Sequence, residues 1–428
     1  MNQLIIFPQT IPTVSYDKKS LTNEPLEVSF RELVPEINDT SYLTHSIYYY
    51  PAKFIPQVVW FAIRNYTKEG DWIIDPFAGS GTVGLEAYLC NRNAVLWDLN
   101  LLLNHIIPIK IYKGSAFLQK DVLSNLLNEM MKSVVEFHPK WSNIHYWYPD
   151  EMYEVLSKYW GWIKQQEASP YKLIIEAVLV KMSKQFSYAE HKTPKLFISK
   201  YKKVFIEEIL TENWRNQLVE GIYLSAFNNL NDVNSLIRLN SKRCSTILYK
   251  GGVDSALQRL ENDKKIDCLI TSPPYLQAQE YIRTSKLDLY WLGYSESEIK
   301  KISRLEIPYR KSDRIIHTPI LDNLKKQIQN IDLIQVLDSY FCHTISSLEN
   351  AISYLKNGSK ICIFVGNPKV DGIEVETWRI LLEYFSISGY ELQEIFEDKI
   401  KNRQLFGSRN NKNPDGMKSE FMLVLVKK

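Results

Sequence analysis

A strand–turn–helix–strand unit at residues 71–98 constrains the fold of this 428-residue chain more than any other feature. An apolar strand ends at Asp75, a glycine-rich turn with the pattern GxGxxG begins at Gly79, and a helix then leads to a second apolar strand that ends at Asp98. Two nearly continuous apolar strands joined by a helix are typical of a parallel sheet that is covered by helices on both faces. The sequence therefore predicts an α/β fold.

The glycine-rich turn and Asp98 predict a nucleoside cofactor. Glycines permit a tight connection from strand to helix and let backbone amides approach a ligand closely. A carboxylate at the end of the next strand can accept hydrogen bonds from both hydroxyls of a ribose. Nicotinamide and flavin enzymes share this spacing, so a dinucleotide is an alternative. Asp75 favours a methyl donor, because its carboxylate can meet a cationic amino-acid group and would repel a pyrophosphate.

A second unusual feature is the sequence ITSPPY at residues 270–275, which follows an apolar strand. Prolines cannot donate hydrogen bonds within a sheet, so this is an odd way for a core strand to end. Earlier in the chain, the sequence KGGVDS places Asp254 near the end of another predicted strand, where it can contact an adenine amino group.

The motifs DPFAGSGT, WDLN, KGGVDS and TSPPY, in that order, resemble the cofactor and catalytic motifs of amino-directed DNA methyltransferases, which use S-adenosylmethionine. The upstream sequence HSIYYYPAKFIP resembles the family segment that closes over the methionine end of the cofactor. The resemblance covers about residues 45–105 and 245–425. It implies a Rossmann-like, seven-stranded methyltransferase sheet with a C-terminal antiparallel hairpin, and no metal. The cofactor-binding residues that it implies are Lys53, Phe54, Asp75, Pro76, Phe77, Ala78, Gly79, Ser80, Gly81, Thr82, Asp98, Leu99, Asn100, Asp254 and Ser255.

The segment Ser272-Pro273-Pro274-Tyr275 is suited to methyl transfer onto an exocyclic amino group. Such a nitrogen is a poor nucleophile, because its lone pair is delocalised into the ring. Two acceptors that take its two hydrogens help it to become tetrahedral, and the Ser272 hydroxyl and the Pro273 carbonyl can supply them. The rigid prolines fix the carbonyl, and a flipped base can stack on Tyr275, which is worth about 1–3 kcal/mol.

Ser272 favours cytosine N4 as the target, since a serine at this position is more typical of the cytosine-N4 members of the family. An adenine-N6 enzyme is the principal alternative. An RNA methyltransferase and a non-enzymatic DNA-binding protein are further alternatives. Methylation at cytosine C5 is disfavoured, because it needs a cysteine nucleophile after a proline and none of the five cysteines follows one.

Amphipathic patterns over residues 112–240 predict a helical insertion, which we interpret as the target-recognition region. The predicted catalytic domain comprises residues 41–111 and 241–428, and residues 1–40 are predicted to form an irregular surface arm. The formal net charge is only +3, but basic residues cluster at 181–203 and 300–314. Lysine and arginine contact DNA phosphates. The residues predicted to contact DNA are Lys192, Lys195, Lys200, Lys202, Lys203, Arg283, Arg310 and Lys311.

The resemblance implies double-stranded DNA as the partner, in a restriction–modification or related bacterial system. It leaves open whether a separately encoded restriction endonuclease accompanies the chain. The sequence shows no signal-peptide pattern and no apolar run of membrane-spanning length, so we expect a bacterial cytoplasmic protein that associates with the nucleoid through DNA.

Overall fold

The computed structural model describes residues 24–50, 53–190, 196–239, 245–261, 264–276, 280–307, 310–400 and 417–428. The strands are β1 (Leu26–Val28), β2 (Trp72–Asp75), β3 (Asn93–Asp98), β4 (Ile247–Gly251), β5 (Ile266–Thr271), β6 (Leu355–Gly366), β7 (Lys369–Val370), β8 (Ile373–Glu374), β9 (Glu391–Lys399) and β10 (Ser419–Val426). The helices are α1 (Phe30–Leu33), α2 (Pro56–Tyr66), α3 (Thr82–Leu89), α4 (Leu103–Lys110), α5 (Lys120–Met131), α6 (Asp150–Gln165), α7 (Pro170–Gln185), α8 (Lys200–Leu210), α9 (Trp214–Leu239), α10 (Tyr281–Trp291), α11 (Glu296–Ser303), α12 (Pro319–Gln327), α13 (Ile331–Ser353) and α14 (Thr377–Ile387). Short 3₁₀ helices span Leu43–Ser46 and Ile144–Trp147. None of the helices in these ranges is both long and apolar enough to cross a bilayer.

One mixed sheet organises the catalytic part of the chain, with the strand order β1-β9-β10-β6-β5-β2-β3-β4. The neighbours from β6 to β4 are parallel, and β10 is antiparallel to both β6 and β9. The prediction of a Rossmann-like α/β fold with a C-terminal antiparallel hairpin is confirmed. The predicted count of seven strands is corrected to eight within the described ranges, because β1 pairs in parallel with β9.

The connections of the sheet create a crevice between β2 and β5. From β2 the chain proceeds through β3 to β4 on one side, whereas β5 leads to β6 on the other. Ile73 and Ile74 of β2 pair with Cys268 and Leu269 of β5, so both strands end at the same edge of the sheet. Open α/β sheets bind ligands at such switch points, beyond the carboxyl ends of the strands.

The helices between β3 and β4 pack directly against the helices that follow β5. The Trp160 ring of α6 stacks on the Trp291 ring of α10 with centroids 5.8 Å apart. The Lys164 ammonium donates to the Leu292 carbonyl at 2.7 Å. The described part of the helical region therefore shares a core with α10, the first helix after the SPPY segment.

The segment before residue 40 differs from the predicted irregular arm. Phe30, Val34 and Ile37 are buried beneath α2 and the sheet, and the Phe30 ring makes edge contacts with the rings of Phe61, Phe364 and Phe396. The prediction is therefore wrong over the described residues 24–40. The prolines of this segment suggested an irregular chain, whereas buried apolar side chains decide its position.

Replacement of Phe30 by Ala should lower the free energy of unfolding by about 3–5 kcal/mol, because it removes a fully buried ring from the core. The matched control is Phe117→Ala, whose ring is 48% exposed and which should cost far less. Urea unfolding followed by circular dichroism measures both values. Equal losses for the two variants would contradict the placement of the N-terminal segment in the core.

Candidate active site

The glycine-rich turn is held in place by hydrogen bonds to its backbone. The Gly79 amide donates to Asp98 Oδ2 at 2.6 Å, which ties the turn after β2 to the end of β3. The buried Lys110 ammonium donates to the Ser80 carbonyl at 2.8 Å. Gly81 precedes α3 with φ of 75°, and a β-carbon there would lie 2.1 Å from Ile107 Cδ1. A side chain at Gly81 would therefore be both strained and obstructed.

Asp75 and Asp98 place two buried carboxyl groups at adjacent strand ends. Asp75 Oδ1 accepts a hydrogen bond from the Thr271 hydroxyl at 2.6 Å, and Asp98 Oδ1 accepts one from the Asn100 amide at 2.7 Å. Burial raises the pKa of Asp75 to about 7 and that of Asp98 to about 6, although the hydrogen bonds oppose the shift. In the absence of a ligand, the hydrogen bonds therefore compensate only part of the negative charge on these two carboxyl groups.

The SPPY segment lies beside these carboxyl groups and is tied to the last strand. The Tyr275 hydroxyl donates to Glu420 Oε1 at 2.7 Å, and Glu420 belongs to β10. Burial raises the pKa of the Tyr275 phenol, and a hydrogen bond with Ser272 opposes the rise. Burial likewise raises the pKa of Glu420. Ser272, Tyr275 and Glu420 thus form a connected polar group at the end of β5.

One cavity of about 190 Å³ joins the glycine-rich turn to the SPPY segment. Most of the predicted cofactor and catalytic residues line it, and their roles stay predictions: Lys53, Phe54, Asp75, Phe77, Ala78, Gly79, Ser80, Thr82, Asp98, Leu99, Asn100, Asp254, Ser255, Ser272, Pro273, Pro274 and Tyr275. Pro76 and Gly81 do not line it. The Pro76 carbonyl accepts from the Ser255 hydroxyl, and Gly81 begins α3, so these two residues hold the turn in shape.

Further side chains in the cavity wall are not among the cofactor and catalytic residues named above, although Tyr50 belongs to the HSIYYYPAKFIP segment. They come from distant parts of the chain and include Tyr50, Tyr281, Glu306, His343, Phe364 and Glu420. The Tyr50 and Tyr281 rings stack 5.8 Å apart at 9°, and the Phe54 and Phe364 rings stack 5.5 Å apart at 24°. Sequence spacing gives no signal for these pairs, because the sheet and α10 bring them together.

Arg310 lines the cavity together with the SPPY segment. Its guanidinium forms an ion pair with Asp254, and the two side chains are 22% and 14% exposed. The contact of Arg310 with DNA stays a prediction. The Asp254 carboxylate also accepts a hydrogen bond from the Ala256 amide at 3.1 Å, so it lies between a backbone donor and a cation at the cavity wall.

The other residues predicted to contact DNA have different environments. Lys200, Lys203, Arg283 and Lys311 are exposed, whereas Lys192 and Lys195 lie outside the described residues. Lys202 is only 4% exposed, and its ammonium donates to the Gln185 carbonyl at 2.7 Å. The prediction for Lys202 is wrong, because a buried, hydrogen-bonded ammonium is not available to a phosphate.

One group of potential metal ligands occurs among the described residues, namely Asp313, Cys342 and His343. The Cys342 thiol donates to Asp313 Oδ1 at 3.0 Å, and His343 Nε2 donates to the Lys311 carbonyl at 2.9 Å. Hydrogen bonds within the protein account for this grouping, so we assign no metal to it.

Comparison with known proteins agrees with the geometry of this site. Residues 9–107 match the model of the N6/N4 methyltransferase family, described as DNA methylase. Type II methyltransferase M.BsoBI of Geobacillus stearothermophilus is 25% identical over 330 residues, which are 70% of this chain and 63% of that protein. Type II methyltransferase M.MjaII of Methanocaldococcus jannaschii is 33% identical over 98 residues, which are 23% of this chain and 18% of that protein. The chain thus spans less than two thirds of these relatives. TrmN from Thermus thermophilus aligns with 88% of this chain and 49% of its own, at 9% identity and a TM-score of 0.30, and that likeness is too weak to add to the fold described above.

These sequence matches support a relation of the chain to the amino-directed methyltransferase family. The family and the fold imply S-adenosylmethionine as the methyl donor. The polar groups of the cavity fit this cofactor. Asp75 and Asp98 offer buried carboxyl groups to a ligand that carries cationic groups and ribose hydroxyls, and Gly79 leaves no side chain between the backbone and a ligand.

The affinity for S-adenosylmethionine should increase as the pH rises from about 6 to about 7, the pKa values of Asp98 and Asp75. A cationic ligand favours the ionised carboxylates, so binding below these pKa values must release protons. Each titrating group then changes the affinity by up to about tenfold per pH unit and has no effect well above its pKa. Isothermal titration calorimetry between these pH values and above measures the effect. Asp75→Asn should bind more weakly and with a shallower pH dependence, and an unchanged slope would contradict the role of Asp75.

The hydrogen bond between Tyr275 and Glu420 should matter for turnover and not for cofactor binding. Tyr275→Phe and Glu420→Ala should each lower kcat by about 10- to 150-fold, since a hydrogen bond to a charged group is worth about 1.5–3 kcal/mol. The double variant should lose no more than either single variant. Glu420→Gln, which keeps an acceptor, should retain most of the activity. Losses that multiply in the double variant would show that the two side chains act independently.

Proposed function

We propose that the protein transfers a methyl group from S-adenosylmethionine to the exocyclic N4 amino group of a cytosine that is flipped out of double-stranded DNA. The observation that carries the proposal is the single cavity lined both by the carboxyl groups at the ends of β2 and β3 and by Ser272, Pro273 and Tyr275. A cofactor on the glycine-rich turn and a base at the SPPY segment would therefore share one cavity. A base inside a duplex cannot reach such a cavity, so the target must be extruded.

The residues of the SPPY segment have defined roles in this proposal. The cofactor, when bound, supplies a methyl group on a cationic sulfur. The Ser272 hydroxyl and the Pro273 carbonyl accept hydrogen bonds from the two N–H groups of the base, which frees the nitrogen lone pair to form the new N–C bond as the bond between methyl and sulfur breaks. The methylated nitrogen then releases one proton to solvent. Tyr275 provides a face for the base, and Glu420 holds its hydroxyl. The mechanism needs no covalent enzyme intermediate.

Cytosine is favoured over adenine by Ser272 alone, because family members that act on cytosine N4 typically carry serine at this position. An adenine-N6 enzyme would use the same cavity and the same cofactor residues. The names of the relatives, Type II methyltransferases, support a restriction–modification setting. A bacterial cytoplasmic location and a separately encoded restriction endonuclease as partner are part of the proposal. DNA is the substrate proposed on the same grounds.

The proposal predicts N4-methylcytosine in unmodified bacterial DNA after incubation with the protein and S-adenosylmethionine. Ser272→Ala should lower kcat by about 10²–10³-fold, because it removes one of the two acceptors for the amino hydrogens. Its affinity for S-adenosylmethionine should change little. Mass spectrometry of the released nucleosides identifies the product, and single-turnover kinetics give the rate.

The outcomes separate the parts of the proposal. N6-methyladenine as the product would retain the mechanism and overturn the choice of base. Product in RNA and not in DNA would overturn the substrate. Ser297→Ala is a matched control, because Ser297 lies on α11 and does not line the cavity. An equal loss in Ser297→Ala and Ser272→Ala would contradict a direct role for the Ser272 hydroxyl.

A further inference from the structure

A second concave surface adjoins the cavity and is lined mainly by aromatic and aliphatic side chains. This aromatic groove has a volume of about 700 Å³, within the range of ligand sites. It lies between the helical region and the helices after the SPPY segment. Its lining residues are Trp141, Tyr146, Trp147, Leu196, Phe197, Ile198, Glu280, Arg283, Lys286, Ser303 and Glu306.

Helix α10 connects the aromatic groove to the cavity. Tyr281, at the start of the helix, lines the cavity, whereas Arg283 and Lys286 line the groove. Glu306 lines both, and its carboxylate accepts the Ile282 amide at 2.8 Å. From Tyr281 to Lys286 the helix rises about 7.5 Å, on the order of two steps of about 3.4 Å along a DNA strand. A strand with one base in the cavity thus reaches the groove within one or two nucleotides.

The aromatic groove offers flat apolar faces on a rigid support. Tyr146 is 67% exposed and Phe197 is 38% exposed, which leaves their rings open to a ligand. Behind them, the Trp141 ring stacks on the Tyr290 ring at 4.5 Å and 10°. The Lys286 ammonium lies 4.8 Å from the centroid of the Trp141 ring. Rings of this kind bind unpaired bases by stacking without regard to base identity.

The charges of the aromatic groove favour a base over a phosphate backbone. Arg283 is paired with Glu280 at 2.7 Å, and Glu306 adds a second acidic group. Lys286 is therefore the single cation of the groove lining without an ion pair among the described residues. A track for several phosphates would need a net excess of cations, whereas one unpaired base with one adjoining phosphate matches the rings and Lys286.

We infer that the aromatic groove binds an unstacked base of the target strand, one or two nucleotides from the flipped base, by stacking on Tyr146 and Phe197 while Lys286 meets the adjoining phosphate. This inference rests on the proposed function. It places part of the DNA contact at Tyr146 and Lys286, which lie outside the two basic clusters of the sequence. The groove then stabilises the distorted strand that base flipping requires.

The test first locates the sequence that the wild type methylates by sequencing the treated DNA. The affinity of protein variants is then measured for duplexes that contain this sequence, with and without abasic nucleotides. Tyr146→Ala should weaken DNA binding by about 5- to 150-fold, the equivalent of a stacking contact of about 1–3 kcal/mol. Tyr146→Phe, which keeps the ring, should bind like the wild type. Tyr201→Ala is the matched control, because Tyr201 is 89% exposed on α8 and lines neither surface. Affinity for S-adenosylmethionine should be equal in all four proteins.

Abasic nucleotides locate the contact on the DNA. An abasic nucleotide one or two positions from the target should weaken binding by the wild type and should have little further effect on Tyr146→Ala. If the wild type methylates DNA, two results would overturn the inference. One is that abasic nucleotides weaken binding by the wild type and by Tyr146→Ala equally at every position. The other is that Tyr146→Ala and Tyr201→Ala bind DNA with equal affinity. Absence of DNA methylation by the wild type would instead remove the proposed function, and the inference with it.

Discussion

The hydrogen bond from the Gly79 amide to the Asp98 carboxylate determines how the rest of the site is arranged. It joins the turn after β2 to the end of β3, and the buried Lys110 fixes the same turn by donating to the Ser80 carbonyl. This arrangement buries the Asp98 carboxyl group, and burial raises its pKa because the ionised form is destabilised. A bound cation or hydrogen-bond donor can offset that cost, so the constraint that shapes the turn also creates its preference for a ligand.

The sheet topology brings the SPPY segment to this turn. Because β5 lies beside β2, the chain leaves the sheet at Thr271 within hydrogen-bonding distance of Asp75 and continues directly into Ser272. The antiparallel strand β10 then supplies Glu420 to Tyr275 from the other side of β6. Each group comes from a different strand, and the rigid sheet sets their separation. Such support is what precise positioning of a weak nucleophile requires.

The sequence motifs predicted the parts of the site that lie at strand ends, since residues 75–82, 98–100 and 272–275 are each local in the chain and follow apolar runs. Glu420 could not be predicted in this way, because β10 reads as an ordinary core strand and its contact with Tyr275 spans 145 residues. Lys202 was misplaced for a related reason, and the charge of Arg310 is paired within the cavity. A cluster of basic residues does not show which ammonium or guanidinium groups find partners within the fold, and these two do.

The central claim, that a base enters the cavity and stacks on Tyr275, can be measured directly by ¹⁹F NMR of DNA that carries 5-fluorocytosine at the methylated position. The account predicts a new resonance in the complex with a non-reactive cofactor analogue, shifted again in the Tyr275→Ala protein because the ring current of Tyr275 is lost. A fluorine signal that stays at its duplex position in a saturated complex would contradict the account.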